Sequence, residues 1–183
     1  KKHMPFITVR HAEFECDDVI ATLTAIHSKK GDECTIISSD SDFIQLHNSF
    51  DIQLYNPVKK SFVAKPDYDY VVWKALRGDP TDNILGIKGI GDKTAHKLVR
   101  DPRMLKELFE DKQKLEIFER NVNLIRLVDL SQRMDEMEFD YGKHSFDFLY
   151  ETFDQFEFSS MLKEKTWNKY CATFQGLQVT GFN

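Results

Sequence analysis

Residues 34–42, Cys-Thr-Ile-Ile-Ser-Ser-Asp-Ser-Asp, join a short β-branched run to two aspartates. An apolar run of this length is typical of a strand that is buried on both faces of a parallel sheet. In open α/β sheets, ligands bind outside the carboxyl ends of the strands, which is where Asp40 and Asp42 would lie. The alternative is that these aspartates only form a turn or cap the next segment.

The residues before this run predict the rest of an α/β unit. Phe6–Val9 is typical of a strand, and Glu15–Lys30 is typical of a helix that ends at Gly31. A strand, a helix and a strand at this spacing predict a βαβ unit. The apolar side chains of the helix recur at helical spacing, which predicts a buried stripe of Val19, Ile20, Leu23 and Ile26.

The pattern after residue 42 becomes mainly helical. A short helical turn is expected at Asp42–Leu46, followed by a hairpin around Asn56 and Pro57 with strands at 52–55 and 61–64. The next helix begins at Pro66 or Asp67 and ends at Gly78. Further helices are expected at 93–100, 104–109, 112–127, 145–153 and 161–174, with a frayed end at 175–183.

The composition is that of a soluble globular protein. The chain has 183 residues, of which 41% are hydrophobic and 30% charged, enough for one domain with a small helical extension. It has no apolar run long enough to cross a membrane and no apolar core of a secretion signal. Three widely spaced cysteines argue against a disulfide framework or a zinc site and favour a reducing cytoplasm.

Three acidic clusters fall where one predicted element gives way to the next. Besides Asp40 and Asp42, they comprise Glu15, Asp17 and Asp18 at a helix start, and Asp79 and Asp82 around a proline. Taken singly, these are ordinary helix-start and turn residues. Taken together, they offer the oxygen ligands that Mg²⁺ prefers. Crowded carboxylates repel one another, and cations near them in sequence are scarce, so we expect external metal ions to balance their charge.

A glycine-rich stretch follows the third cluster, with the sequence Gly86-Ile-Lys-Gly-Ile-Gly91-Asp-Lys-Thr-Ala95. It resembles a helix–hairpin–helix element, in which Ile87 and Ile90 fix the hairpin to the core and the helix start binds phosphate. The alternative is a glycine-rich turn with solvated lysines. The residues expected to contact a DNA backbone are Gly86, Lys88, Gly89, Gly91, Lys93, Thr94 and Lys97. The net charge of −5 is unusual for a nucleic-acid binder, but residues 86–103 carry five lysines or arginines and only two aspartates.

These motifs jointly resemble the flap endonuclease and 5′→3′ exonuclease family. The resemblance rests on Glu15–Asp18, Ser38–Phe43, Gly78–Asn83 and the hairpin, and it covers most of the chain from Met4 to Asp129. Within that family, the ribonucleases H of T-even-type bacteriophages are the most similar in residues 36–40, 45–47 and 121–129. The resemblance implies an α/β, parallel-sheet, PIN or 5′-nuclease-like core at residues 1–82. A helical DNA-binding region with the hairpin and the C-terminal helices would then follow at residues 83–183.

The resemblance also implies a function. Such enzymes cut DNA or RNA–DNA hybrids at a 5′ end or flap and remove RNA primers during replication, using two Mg²⁺ or Mn²⁺ ions. By motif position, the first ion would be held, directly or through water, by Glu15, Asp17, Asp18 and Asp40, and the second by Asp42, Asp79 and Asp82. The resemblance further implies a K⁺ ion on the carbonyls of the hairpin and a replication single-strand binding protein as a partner. If a phage encodes the protein, it implies the host cytoplasm as the location.

The family also has features without a counterpart in this sequence. These are an N-terminal strand that ends in an essential aspartate, a second aspartate and an arch rich in lysine and arginine. We therefore expect the chain to be the C-terminal portion of a longer protein or one half of a split gene. Three alternatives follow: an active nuclease, a duplex-binding module without catalysis, or a fragment that needs a separate N-terminal chain.

Overall fold

The computed structural model describes residues 3–4, 6–141 and 144–175. The chain divides into a larger unit, Glu15–Gln132, and a smaller unit, Lys1–Phe14 with Arg133–Asn183. The frayed end that we predict after residue 175 lies outside the described residues.

The larger unit begins with helix α1, Cys16–Lys30, which starts one residue after the predicted start at Glu15 and has the predicted end. Gly31 ends it with φ +87°, a left-handed conformation that favours glycine. The predicted apolar stripe is only partly right, because Ile20, Leu23 and Ile26 remain partly exposed. The residues that the helix buries are instead mostly small: Val19, Ala21, Thr22, Thr24 and Ala25. Thr22 also accepts a hydrogen bond from Leu130 N at 2.8 Å, which explains a buried hydroxyl.

A three-stranded sheet follows, in the order β2 (Cys34–Ile37), β3 (Ile52–Asn56) and β4 (Ser61–Phe62). The predicted hairpin is confirmed, and β2 lies parallel to β3. The predicted burial of β2 on both faces is wrong: only Ile36 is buried, and Ile37 is 69% exposed. Among the described residues, β2 is also an edge strand, with β3 as its one neighbour.

The predicted βαβ unit is also wrong. The first strand, β1 (Thr8–Arg10), pairs antiparallel with β7 (Glu138–Asp140) rather than with β2. Sequence spacing alone cannot distinguish these two pairings, since a three-residue strand has little register information.

The helical part of the larger unit matches the predicted pattern. Helix α2 starts later than expected, because the Asp69 carboxylate accepts a hydrogen bond from Val72 N and so caps the helix there. A short antiparallel pair that the sequence did not indicate, β5 (Gly78–Asp79) and β6 (Ile84–Leu85), follows α2. The helices of this part are α2 (Tyr70–Arg77), α3 (Asp92–Arg100), α4 (Pro102–Leu108) and α5 (Lys112–Ile125).

Two apolar clusters fix these elements. The first joins α1 and the sheet to the 3₁₀ helix Asp42–Asn48, with Phe43 and Leu54 almost fully buried. The second joins α2, α3 and the glycine hairpin (Gly86–Gly91) through Trp73, Leu76 and Ile87. Asn121 of α5 is fully buried, and its side-chain amide donates hydrogen bonds to Ala75 O and Leu85 O at 2.9 and 2.8 Å. These bonds tie α5 to the end of α2 and to β6.

The smaller unit contains β1, β7 and the helices α6 (Phe146–Gln155), α7 (Ser159–Leu162) and α8 (Glu164–Gln175). Aromatic side chains hold α6 and α8 together, with the Tyr150 and Trp167 rings 5.1 Å apart and perpendicular. A second 3₁₀ segment lies at Ser131–Glu136 and is interrupted at Arg133. None of the described helices is long and apolar enough to cross a membrane.

Candidate metal and nucleic-acid site

Three carboxylates converge in the larger unit from three separate elements. Asp42 begins the 3₁₀ helix, Asp79 ends β5, and Asp82 lies in the turn between β5 and β6. One oxygen from each lies within 4.8 Å of the others. Asp79 is 6% exposed and Asp82 is exposed, so the cluster runs from the interior to the surface. Among the described residues, this is the one group of three acidic, histidine or cysteine ligands at such separations.

A lysine that we did not select from the sequence lies inside this cluster. Lys74 of α2 is 2% exposed, and its ammonium donates to Asp42 and to Asp79, the latter at 2.5 Å. Asp82 lies farther away, at 3.9 Å. A protein cation therefore offsets part of the charge that we expected external metal ions to balance. The signal was present in the apolar pattern of α2, where a lysine stands among buried residues five positions before Asp79.

Lys74 stabilises the charged forms of the three carboxylates to different extents, as their pKa values show. Burial acts to raise the pKa of Asp79, but hydrogen bonds from Lys74 and Thr81 outweigh it and lower the pKa to about 2. Burial raises the pKa of Asp42 despite its bond to Lys74. Burial and the nearby Asp79 carboxylate raise the pKa of Asp82. One ammonium thus leaves an excess of negative charge, which a divalent cation would offset.

Lys74 itself is held in its charged form. Burial acts to lower its pKa, but the hydrogen bonds to Asp42 and Asp79 raise it above the usual value. A buried lysine of this kind is stable only while its carboxylate partners remain.

The other predicted metal ligands are not members of the cluster that Asp42, Asp79 and Asp82 form. Asp40 is exposed, and its carboxylate accepts a hydrogen bond from Asp42 N at 2.9 Å, so it lies against the cluster. Asp18 accepts from Val128 N at 2.8 Å, and Asp17 accepts from the Cys16 thiol. Glu15 is the exposed N-cap position of α1. The assignment of Glu15, Asp17, Asp18 and Asp40 to a first metal ion stays a prediction.

The glycine hairpin follows directly on the β5–β6 pair, which contains part of the acidic cluster of Asp42, Asp79 and Asp82. The β5–β6 pair folds the chain back so that Gly86 lies on the end of α2, where a Cβ on Gly86 would be 2.1 Å from Arg77 O. Ile87 N donates to Leu76 O at 3.0 Å, and the Ile87 side chain is 3% exposed. Gly89 has φ +85° with nothing near its missing Cβ. The expectation that Ile87 anchors a tight turn is therefore confirmed.

The residues that we expect to contact DNA lie on the outside of this hairpin and of α3. Gly91 is the N-cap of α3 and has no side chain that could accept hydrogen bonds from the first N–H groups of the helix. Ala95 is fully buried and fixes the helix from behind. The exposed members of the predicted set are Lys88, Gly89, Gly91, Lys93, Thr94 and Lys97, while Gly86 is half-buried. Their role as DNA contacts stays a prediction.

Two models of known protein families together match most of this chain. Residues 2–74 match the family described as 5′-3′ exonuclease, N-terminal resolvase-like domain. Residues 66–155 match 5′-3′ exonuclease, C-terminal SAM fold. The chain belongs to the 5′-3′ exonuclease family. Its fold is accordingly a resolvase-like part followed by a SAM-like helical part, in agreement with the predicted α/β core and helical region.

Relatives of this family member include bacterial DNA polymerases. DNA polymerase I of Thermus thermophilus is 32% identical over 171 residues, which cover 82% of this chain and 20% of the polymerase. DNA polymerase I of Deinococcus radiodurans is 38% identical over 104 residues, covering 53% of this chain and 11% of the polymerase. The chain therefore spans a fifth or less of these relatives.

Among solved structures, the chain is similar to a T5 5′-exonuclease with bound divalent zinc ions. The TM-score is 0.52 at 23% identity, over 62% of this chain and 50% of the phage chain. At this identity the likeness supports the shared fold alone.

Proposed function

We propose that this family member is a structure-specific 5′ nuclease that hydrolyses phosphodiester bonds at a 5′ end or flap with the help of divalent metal ions. The observation that carries the proposal is the convergence of Asp42, Asp79 and Asp82 on one point, with the glycine hairpin folded onto the same β5–β6 pair. The cluster suits a metal ion and the hairpin suits a phosphate backbone, and a nuclease needs both side by side.

The residues fit a hard divalent cation. Three carboxylate oxygens within 4.8 Å of one another provide the oxygen donors that Mg²⁺ and Mn²⁺ prefer. The ammonium of Lys74 between Asp42 and Asp79 indicates that this position favours positive charge. Divalent ions bound here would activate water and stabilise the leaving oxygen of a phosphodiester.

In this proposal, Lys74 and Asp40 position the acidic side chains, and the hairpin binds the substrate. Lys74 orients Asp42 and Asp79 through its two hydrogen bonds, so that both carboxylates keep one geometry. Asp40 fixes the start of the 3₁₀ helix through Asp42 N, and its remaining oxygen is free to face the same ions. The hairpin and the start of α3 bind the duplex through backbone N–H groups and lysines, which position the substrate without reading bases.

The finer features of the function are part of the same proposal. They are a two-ion site of Mg²⁺ or Mn²⁺ that includes Glu15, Asp17 and Asp18, and a K⁺ ion on the hairpin. We further propose that the protein acts in the cytoplasm and removes RNA primers, as a member of the phage ribonuclease H group would. A replication single-strand binding protein and a separate N-terminal chain are the proposed protein partners. The nuclease core would be residues 1–82 and the DNA-binding region residues 83–183.

The decisive experiment is a Mg²⁺ titration on a labelled 5′-flap duplex with wild type, Asp42→Asn and Asp51→Asn. We expect cleavage by wild type and a loss of about 100-fold in Asp42→Asn, since even outer-shell partners of metal ligands contribute about 10- to 100-fold. Asp51 is exposed and lies outside the cluster, so its variant should cleave as wild type does. Salt-sensitive binding without cleavage would indicate a duplex-binding module instead. Cleavage that appears only after an N-terminal chain is added would identify a fragment of a two-chain enzyme.

A further inference from the structure

Arg77 lies at the junction between the acidic cluster and the glycine hairpin. It is the last residue of α2 and stands two positions before Asp79. Its carbonyl is the atom on which Gly86 packs, with a Cβ there only 2.1 Å away. Arg77 therefore lies next to both the hairpin and the cluster.

The Arg77 side chain is held in place, and its one carboxylate contact, with Asp92, is a long one. Its Nε donates to Gly78 O at 3.2 Å, and its guanidinium lies 4.6 Å from the centre of the Trp73 ring. Its terminal nitrogen is 3.9 Å from the Asp92 carboxylate, which is beyond hydrogen-bond distance. Neither terminal nitrogen donates a hydrogen bond to a described residue, and the side chain is 34% exposed.

Arg100, at the other end of α3, provides a contrast within the same chain. It also lies over an aromatic ring, that of Tyr68 at 5.4 Å. However, it donates a 2.6 Å hydrogen bond to the Asp67 carboxylate and a second one to His96 O. The charge of Arg100 is thus paired with a carboxylate at hydrogen-bond distance, whereas the terminal nitrogens of Arg77 donate no hydrogen bond to a described residue.

We propose that Arg77 binds a backbone phosphate of the duplex as the strand passes from the glycine hairpin to the acidic cluster. A guanidinium presents two parallel donors that match a phosphate, and stacking on Trp73 orients them before the substrate arrives. The position also has an electrostatic purpose. Asp42, Asp79 and Asp82 carry more charge than Lys74 offsets and would repel a phosphate, so a cation at this junction lowers the barrier to approach. This inference rests on the proposed nuclease function.

The test measures binding of a labelled 5′-flap DNA duplex by fluorescence anisotropy between 50 and 200 mM KCl, with Ca²⁺ in place of Mg²⁺. The proteins are wild type, Arg77→Met, Arg77→Lys and the control Arg100→Met. We expect Arg77→Met to weaken binding about 10-fold, as the loss of a charge-assisted contact does. The slope of log Kd against log salt should fall by about one, because one phosphate contact is lost. Arg77→Lys should keep the slope of wild type with part of the affinity, and Arg100→Met should match wild type in both.

Several outcomes would overturn the inference. If Arg77 only braces α2 against α3, Arg77→Met will lower the melting temperature and leave the salt slope unchanged. An Arg77→Met slope equal to that of wild type rejects the phosphate contact while leaving the nuclease proposal intact. A wild-type protein that binds but does not cleave rejects the nuclease proposal, and the slopes still decide the role of Arg77. A wild type that does not bind the duplex rejects both.

Discussion

At the scale of single residues, the site depends on a charge balance that two buried groups maintain. Lys74 and Asp79 are both nearly inaccessible, and each is stable in its charged form because of the other. Taking one partner from such a pair leaves the remaining charge buried and unpaired, which costs far more than the pair itself contributes.

Lys74→Met tests this balance. In EDTA at pH 7 we expect the free energy of unfolding to fall by about 3 kcal/mol, because Asp42 and Asp79 lose their buried partner. The pKa of Asp79 in the folded wild type, about 2, lies below its unfolded value of 3.8, so its contribution is fully present above pH 4. That contribution is lost as the pH falls toward 2, and the difference between the two proteins should shrink accordingly. Urea unfolding at pH 7 and pH 3 measures it, with the exposed Lys106→Met as the control. An equal difference at both values of pH would contradict the pairing.

Asp40→Asn separates two roles of one carboxylate. The amide oxygen can still accept the hydrogen bond from Asp42 N, so stability should stay within about 0.5 kcal/mol of wild type. The charge is lost, and if Asp40 holds a metal ion, Mg²⁺-dependent cleavage should fall about 10-fold or more. Cleavage rates and urea midpoints are measured on the same preparations. Unchanged cleavage would mean that Asp40 only caps the 3₁₀ helix.

At the scale of elements, the β5–β6 pair links the chemistry to the DNA-binding surface. It is only two residues long in each strand, yet it places Asp79 and Gly86 on the same end of α2. Asn121 of α5 supports it by its hydrogen bond to Leu85 O. The hairpin is thus held rigidly, as a phosphate-binding backbone must be.

Gly86→Ala and Gly91→Ala test that geometry as a pair. A methyl group on Gly86 would meet the Arg77 carbonyl at 2.1 Å, and backbone cannot move aside cheaply, so we expect a loss of about 3 kcal/mol. At Gly91 nothing lies within 4 Å and φ is negative, so the loss should be about 0.5 kcal/mol. Thermal or urea unfolding compares the two variants. Similar losses at both positions would mean that the close packing of Gly86 on α2 is not formed.

At the scale of the whole molecule, the two units differ in how much apolar surface they bury. The larger unit has both apolar clusters that contain Phe43 and Trp73. In the described part of the smaller unit, the buried residues are His11, Met137 and Leu149, and the aromatic side chains of α6 and α8 are partly exposed. Stability follows buried apolar area, so the smaller unit should open first.

The two tryptophans make this measurable, because Trp73 lies in the larger unit and Trp167 in the smaller. In Trp73→Phe, the fluorescence of Trp167 should change at lower urea than the fluorescence of Trp73 does in Trp167→Phe. Far-UV circular dichroism of each variant should overlay that of wild type before unfolding, which controls for damage by the substitutions. Coincident midpoints would show that the two units unfold as one.

The sequence by itself determined the helices, the anchored hairpin and the acidic positions, because helical periodicity, glycine conformation and capping residues are local properties. Residues 34–42 alone predicted a strand that is followed by Asp40 and Asp42, and β2 precedes them in the structure. Only the tertiary structure decided that β1 pairs with β7, that β2 keeps an open side, and that Lys74 enters the acidic cluster. These are contacts between residues distant in sequence, and they depend on which strand edges and side chains the packing of the whole unit brings together. A local pattern contains no information about such partners.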